Sequence, residues 1–368
     1  MLKQYRLKNY RIRLVIYVVL LTLLGIAVIR SAEKSVQNKQ ILGMCLGLAA
    51  MLVVSLIDYS FILKFSWLIY LFNIGLLLLI FVIGDNSKGA TRWIEIAGIR
   101  FQPSELSKIC LILFFAYFFA KYQENLNTIK ILGISVVLGG IPLALIYKQP
   151  DLSTTIVTAL IFIALLFIAG LSYKIILGVL GITVPAALVL ISLILQPDQK
   201  ILNGYQYERI MGWLEPEKYP DTVYQQQNSI MAIGSGQLWG KGLNNTDVAS
   251  VKNGDFISES QTDFIFSVAG EELGFVGGVL IIFLLLAIAL ECILISRKAK
   301  DLSGKLICCG VAAMLGFQGF VNICVVTGMM PNTGLTLPFV SYGLTSLVSC
   351  FIGIGLVLNV GLQPRKYG

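Results

Sequence analysis

The sequence predicts an all-α polytopic membrane protein, with about ten transmembrane helices and one large loop outside the membrane. Three observations carry that expectation. Apolar residues make up 57% of the chain and charged residues only 13%, against about 25% charged in soluble domains. Mean hydropathy is +0.82. The apolar residues fall into runs near the length a bilayer requires, and no Gly/Ser or Pro linker divides residues 1–368 into separate domains.

Five basic residues lie in the first thirteen positions (Lys3, Arg6, Lys8, Arg11, Arg13) and precede the apolar run 14–29. The residues after that run, Arg30-Ser31-Ala32-Glu33, make a poor cleavage site, so it reads as a first transmembrane helix and not as a signal peptide. Further spans are expected at 41–57, 67–83, 106–119, 129–146, 152–169, 175–195, 264–295, 306–326 and 344–362. Ten spans return both termini to one side. With that threading, fifteen basic residues fall on the short segments of the terminal side and eight on the other, which predicts cytoplasmic termini. The segment 196–262, between spans seven and eight, is too long to obey that rule. Its tyrosines, Trp213 and the stretch GSGQLWGKG (residues 234–242) suggest an ordered lid with amphipathic helices.

The net charge of +8 is spread over short loops, so it reads as a topology signal and not as a nucleic-acid surface. No histidine occurs, which excludes a Ser-His triad, a histidine base and the usual zinc sites. The seven cysteines show no C-x-x-C spacing and read as small apolar packing residues. Carboxylates, lysines and arginines must therefore carry the chemistry.

The densest group of such residues is SESQTDFIFSVAGEELG (residues 258–274), at the head of the eighth span. Glu259 and Asp263 are four apart, and Glu271 and Glu272 follow about two turns later. Carboxylates on the lip of a membrane helix mark a functional site by default, although Thr262 or Asp263 could equally cap the helix. The apolar run that follows implies one long helix, projecting Asp263 and Glu259 beyond the outer interface and leaving Glu271 and Glu272 near the headgroups. GATRWIEIAGIRFQPSELSK (residues 89–108) offers Arg92, Arg100 and Lys108 as cations for phosphate oxygens. Within it Glu105 and Lys108 share a helix face and could simply neutralise each other. KQPDLSTT (residues 148–155) places Lys148 and Asp151 around Pro150, with Asp151 well suited to cap the next helix. GMMPNTGLTLPFVSYGLTS (residues 328–346) has no charge and reads as the wall of a cleft.

Six stretches in this order, GATRWI…FQPSELSK, QPDLSTT, YQ…RI, QQQNSIMAIGSGQLWGKGL, TDFIFSVAGEELG and PNTGLTLPFVSYG, make the chain resemble the SEDS family (RodA/FtsW/SpoVE) from end to end. It departs from the usual family pattern at Ser258, at Gln261 where histidine is common, at Leu344 after Tyr342-Gly343, and at Ser153. The resemblance implies a glycosyltransferase that polymerises lipid II into peptidoglycan outside the membrane, beside a class B penicillin-binding protein transpeptidase. It assigns the essential aspartate to Asp263 and a required charged pair to Glu105 and Lys108.

Joining a sugar hydroxyl to an anomeric carbon that bears a diphosphate needs a base and cations. Asp263 is the candidate base, with Glu259 and Glu272 beside it. Arg92, Lys108 and Arg209 are candidates for the diphosphates, and Lys148, Asp151 and Ser229 complete the substrate-binding set. A divalent cation, magnesium or manganese, with Asp263 as ligand, is compatible with this chemistry but not demanded; no organic cofactor is expected. A lipid II flippase, in which buried charges mark a transport path, and a non-catalytic scaffold are the alternatives. The absence of internal repeats weighs against the first, and the retained Asp263, Glu105 and Lys108 against the second.

Overall fold

The computed structural model describes residues 10–87, 90–96, 99–194, 196, 204–244, 256–257 and 260–363. Among the described residues, thirteen α-helices and three short strands are arranged as α1 (Ile12–Ala32), α2 (Gln37–Leu56), α3 (Tyr59–Lys64), α4 (Ser66–Ile83), β1 (Asp85–Ser87), β2 (Ala90–Ile96), β3 (Ile99–Phe101), α5 (Pro103–Lys121), α6 (Ile129–Lys148), α7 (Leu152–Ala169), α8 (Tyr173–Ile194), α9 (Gly204–Leu214), α10 (Pro220–Ser235), α11 (Ile265–Ser296), α12 (Leu302–Val326) and α13 (Leu344–Leu362). Among the described residues nine helices are long and apolar enough to cross a membrane. The 22-residue α8 stands where the seventh span was expected.

The helix boundaries follow their local chemistry. Pro103 opens α5 at its first turn, where a missing N–H costs nothing. Asp151 caps α7 by accepting from the Thr154 N–H (3.1 Å), and Asp301 caps α12 through the Gly304 N–H (2.8 Å). α5, α12 and α13 form the centre of the bundle, while α2, α4 and α6 present Leu52, Leu68, Leu71, Val82, Val136 and Val137 outward. A row of phenylalanines (Phe114, Phe115, Phe118, Phe119) fills the α5 side of the core. α2 and α13 approach closely because Gly47 lies under the Phe351 ring and Gly355 over the Met51 carbonyl, the small-residue contact by which membrane helices pack.

Two sequence expectations need correction. The loop before α5 contains an antiparallel sheet, ordered β1-β2-β3, in which Glu95 stands opposite Arg100, a favourable cross-strand pair. The long helix from residue 265 to 296 is not continuous. Gly274 has φ 66° and ψ −165°, a backbone that breaks the α-helical ladder. Residues 275–296 are long enough to span the bilayer unaided, about 33 Å at the helical rise. Residues 265–273 form a separate segment whose side chains are buried almost throughout. Its length therefore does not lift Asp263 away from the bundle.

The bundle has two distinct ends. At one, the Tyr59 N–H donates to Asn359 Oδ1 (2.9 Å), Tyr59 Oη to Asp301 Oδ2 (2.9 Å) and Gln363 Nε2 to Asp58 Oδ1 (3.1 Å). This clasp gathers the α2–α3 turn, the α11–α12 turn and the end of α13, together with the basic run Arg297, Lys298 and Lys300. The other end carries the sheet, the α6–α7 turn, α9, α10 and the loop after α12.

Candidate active site

The segment before α11 is fixed by its backbone. Tyr342 N donates to the Gln261 carbonyl (2.9 Å) and Ser341 Oγ to the Thr262 carbonyl (2.7 Å). Asn322 Nδ2, from α12, donates to the Asp263 carbonyl (2.8 Å) and the Leu335 carbonyl (2.6 Å). Three successive carbonyls are thus tied to α12 and the loop after it, leaving the half-buried Asp263 side chain at a defined place. Across from it lies Gly334, with φ +74°. A β-carbon there would stand 3.3 Å from Asp263 Oδ2 and 4.0 Å from Arg209 Nη1. The carboxylate and the guanidinium therefore converge on one glycine.

Arg209 reaches this point from α9, where its Nη1 also donates to the Asn332 carbonyl (3.3 Å). Helices α9 and α10 are anchored to the same loop and to the end of α12. Trp213 Nε1 donates to Gly328 O (2.8 Å), and Gln226 Nε2 to Val325 O (2.6 Å) and Met330 O (2.7 Å). On the neighbouring side Ser153 Oγ, at the head of α7, donates to the Thr333 carbonyl. Loop 331–342 is consequently held by α7, α9, α12 and the segment before α11 together.

The other expected residues that lie among the described ones are engaged elsewhere. Lys108 is 1% exposed; its Nζ donates to Glu105 Oε1 (2.8 Å) and Gln318 Oε1 (2.7 Å). That ammonium is enclosed in the bundle and does not face an open diphosphate site. Gln318 in turn donates to the Thr336 carbonyl (3.0 Å), so the pair props the site loop from beneath. Arg92 is spent on the backbone, its guanidinium donating to the Gln149 and Pro150 carbonyls. Asp151 is buried and caps α7, and its second oxygen accepts from Gln102 Nε2 (3.2 Å). Lys148 is exposed at the end of α6.

Glu271 and Glu272 are each 1% exposed, not at a headgroup surface. Glu271 pairs with Lys241 (2.7 Å), and Glu272 accepts from Ser31 Oγ of α1. Ser229 is fully buried and donates to the Val326 carbonyl (2.8 Å), which makes it a fastener of α10 to α12. Glu259 lies outside the described residues. Arg100 is exposed, and its charge lies near Tyr342, whose phenol burial pushes up and Arg100 pulls down. Among the described residues no group of three or more carboxylates or thiols is arranged to hold a metal ion.

Residues that sequence reasoning passed over do much of the positioning. Gln318 and Asn322 are four apart on α12 and fully buried. Two amides on one face of an apolar helix were the available signal. Ser341 and Gly334 sat in the stretch read only as a cleft wall.

The family model described as a cell cycle protein, FtsW/RodA/SpoVE, matches residues 10–366. A probable peptidoglycan glycosyltransferase FtsW of Geobacter metallireducens is 35% identical over 375 residues, covering 98% of this chain and 96% of that protein. A protein of the same description from Escherichia coli O6:H1 is 34% identical over 311 residues, 82% of this chain and 71% of its own. One solved structure, describing structural coordination of polymerization and crosslinking by a peptidoglycan synthase complex, includes a chain with TM-score 0.76 and 28% identity; the match covers 96% of this chain and 97% of that one. The rod shape determining protein RodA of Thermus thermophilus gives TM-score 0.69 and 27% identity, covering 96% of each chain.

Proposed function

This chain belongs to the FtsW/RodA/SpoVE family, and from that premise we propose that Asp263 is the general base of a lipid II polymerase. The chain is a multi-pass membrane protein and a peptidoglycan glycosyltransferase. The observation that carries the finer reading is the convergence of Asp263 Oδ2 and Arg209 Nη1 on Gly334. One group can accept a proton and the other can hold an anion, within the width of a single residue.

In this reading the 4-hydroxyl oxygen of the acceptor sugar attacks the anomeric carbon of the donor as its proton passes to an Asp263 oxygen. The bond from that carbon to the lipid diphosphate breaks, and its electron pair leaves on the diphosphate. Arg209 supports the departing charge with a fork of N–H donors suited to phosphate. An α-linked donor and a β-linked product require inversion, so a single base suffices and no covalent intermediate forms. A positioned base contributes about 10²–10⁴-fold. Glu105 and Lys108 act through Gln318 as positioning residues.

The active end faces outward and both termini are cytoplasmic, as the distribution of basic residues supports. The partner is a class B penicillin-binding protein, whose transpeptidase cross-links the emerging strand. Purified protein incubated with fluorescent lipid II should yield polymer on a gel. Leaflet exchange of lipid II in liposomes without polymer would replace this reading with that of a flippase.

A further inference from the structure

A cavity of about 500 Å³ opens at the cationic end of the bundle, far from Asp263. It lies where α4, α5 and α6 meet, between Trp67, Phe118 and Tyr122 on one side and Lys130, Ile131 and Ile134 on the other. α6 meets its neighbours at mid-length, where Tyr70 Oη donates to the Leu138 carbonyl (2.8 Å) and Gly139 lies against the Phe162 ring. The cavity sits beside its first two turns. Its aromatic wall is preformed, since the Trp67 ring packs edge-on to Phe114 with centroids 5.0 Å apart.

Its charge is one-sided. Lys130 lines it and has no ion-pair partner among the described residues. Lys121 folds over the Tyr122 ring with Nζ 5.5 Å from the centroid. Glu124 is the single acidic residue between Lys121 and Ile134. A pocket with apolar aromatic walls and a cationic rim, between membrane helices at the cytoplasmic interface, is built for a molecule with an acyl chain and an anionic head. A soluble anion would gain nothing from the rings.

We propose that this cavity binds one anionic phospholipid of the inner leaflet, its phosphate at Lys130 and its upper acyl chain along Ile134, Phe118 and Trp67. Native mass spectrometry of the purified full chain, after exchange into equal phosphatidylglycerol and phosphatidylcholine, tests it. The unaltered protein should retain one phosphatidylglycerol at least tenfold over phosphatidylcholine. Lys130→Glu should bring that ratio to about one. Ile134→Trp, which fills the cavity without changing charge, should lower retention of the same lipid at least fivefold. Both positions are exposed, so neither change strips the core. Equal retention of the two lipids by the unaltered protein, or phosphatidylglycerol retention that either variant leaves unchanged, would overturn the proposal.

Discussion

Gly334 occupies a left-handed backbone conformation in front of both charges of the site, and that makes it the most sensitive single position near them. An alanine there costs about 1–2 kcal/mol in backbone strain and sets a methyl 3.3 Å from Asp263 Oδ2. Gly334→Ala should lower polymerisation more than tenfold while reducing the thermal midpoint by only a few degrees, read by gel assay and scanning calorimetry. The Glu105–Lys108 pair calls for a different pattern. Removing one partner strands a buried charge, at about 3–5 kcal/mol, whereas removing both relieves it. Glu105→Ala should therefore unfold at a lower temperature than Glu105→Ala/Lys108→Ala, which a double-mutant cycle on thermal midpoints measures. At this scale Asp151 was legible as a cap, because a helix start needs only local residues. The burial of Lys108 was not legible, because its second acceptor, Gln318, is 210 residues away.

The break at Gly274 is held by a separate element, the glycine-rich turn after α10. Phe275 N donates to the Gln237 carbonyl (2.8 Å), and Lys241 N and Gly242 N to the Glu271 and Glu272 carbonyls (2.9 and 3.0 Å). Gly240, at φ +79°, lies directly on the Glu272 carbonyl, where any β-carbon would overlap it. Gly240→Ala should detach the turn, let residues 265–273 drift and cut polymerisation at least tenfold. The accompanying signature is faster amide hydrogen exchange across residues 265–273, with no change in α5. Sequence periodicity could not reveal this break, since a glycine inside an apolar run is tolerated in a helix at about 1 kcal/mol. Only the turn packed against it makes the kink. Helices α9 and α10 were foreseeable from composition. The three-stranded sheet was not read, although Trp93-Ile94-Glu95-Ile96 alternates as a strand does.

Taken whole, the molecule separates a cationic end from an end that gathers Asp263, Arg209 and helices α9 and α10. Ten apolar runs and the distribution of lysines and arginines made that polarity legible, because membrane insertion reads the same quantities. Which side chains meet at the active end depends on contacts between α9, α11 and the loop after α12, and no local pattern encodes those. In a cysteine-free background, Glu217→Cys in the α9–α10 turn should label on intact cells with a membrane-impermeant thiol reagent. Gln123→Cys, after α5, should label only once cells are permeabilised; the opposite pattern would put the site in the cytoplasm. The most direct test of the central claim is Asp263→Asn, which keeps the shape of the side chain and removes its basicity. At equal expression and unchanged thermal midpoint, lipid II polymerisation by this variant should fall at least a hundredfold. Glycan synthesis near the parental rate would contradict the account, for then Asp263 does not accept the proton.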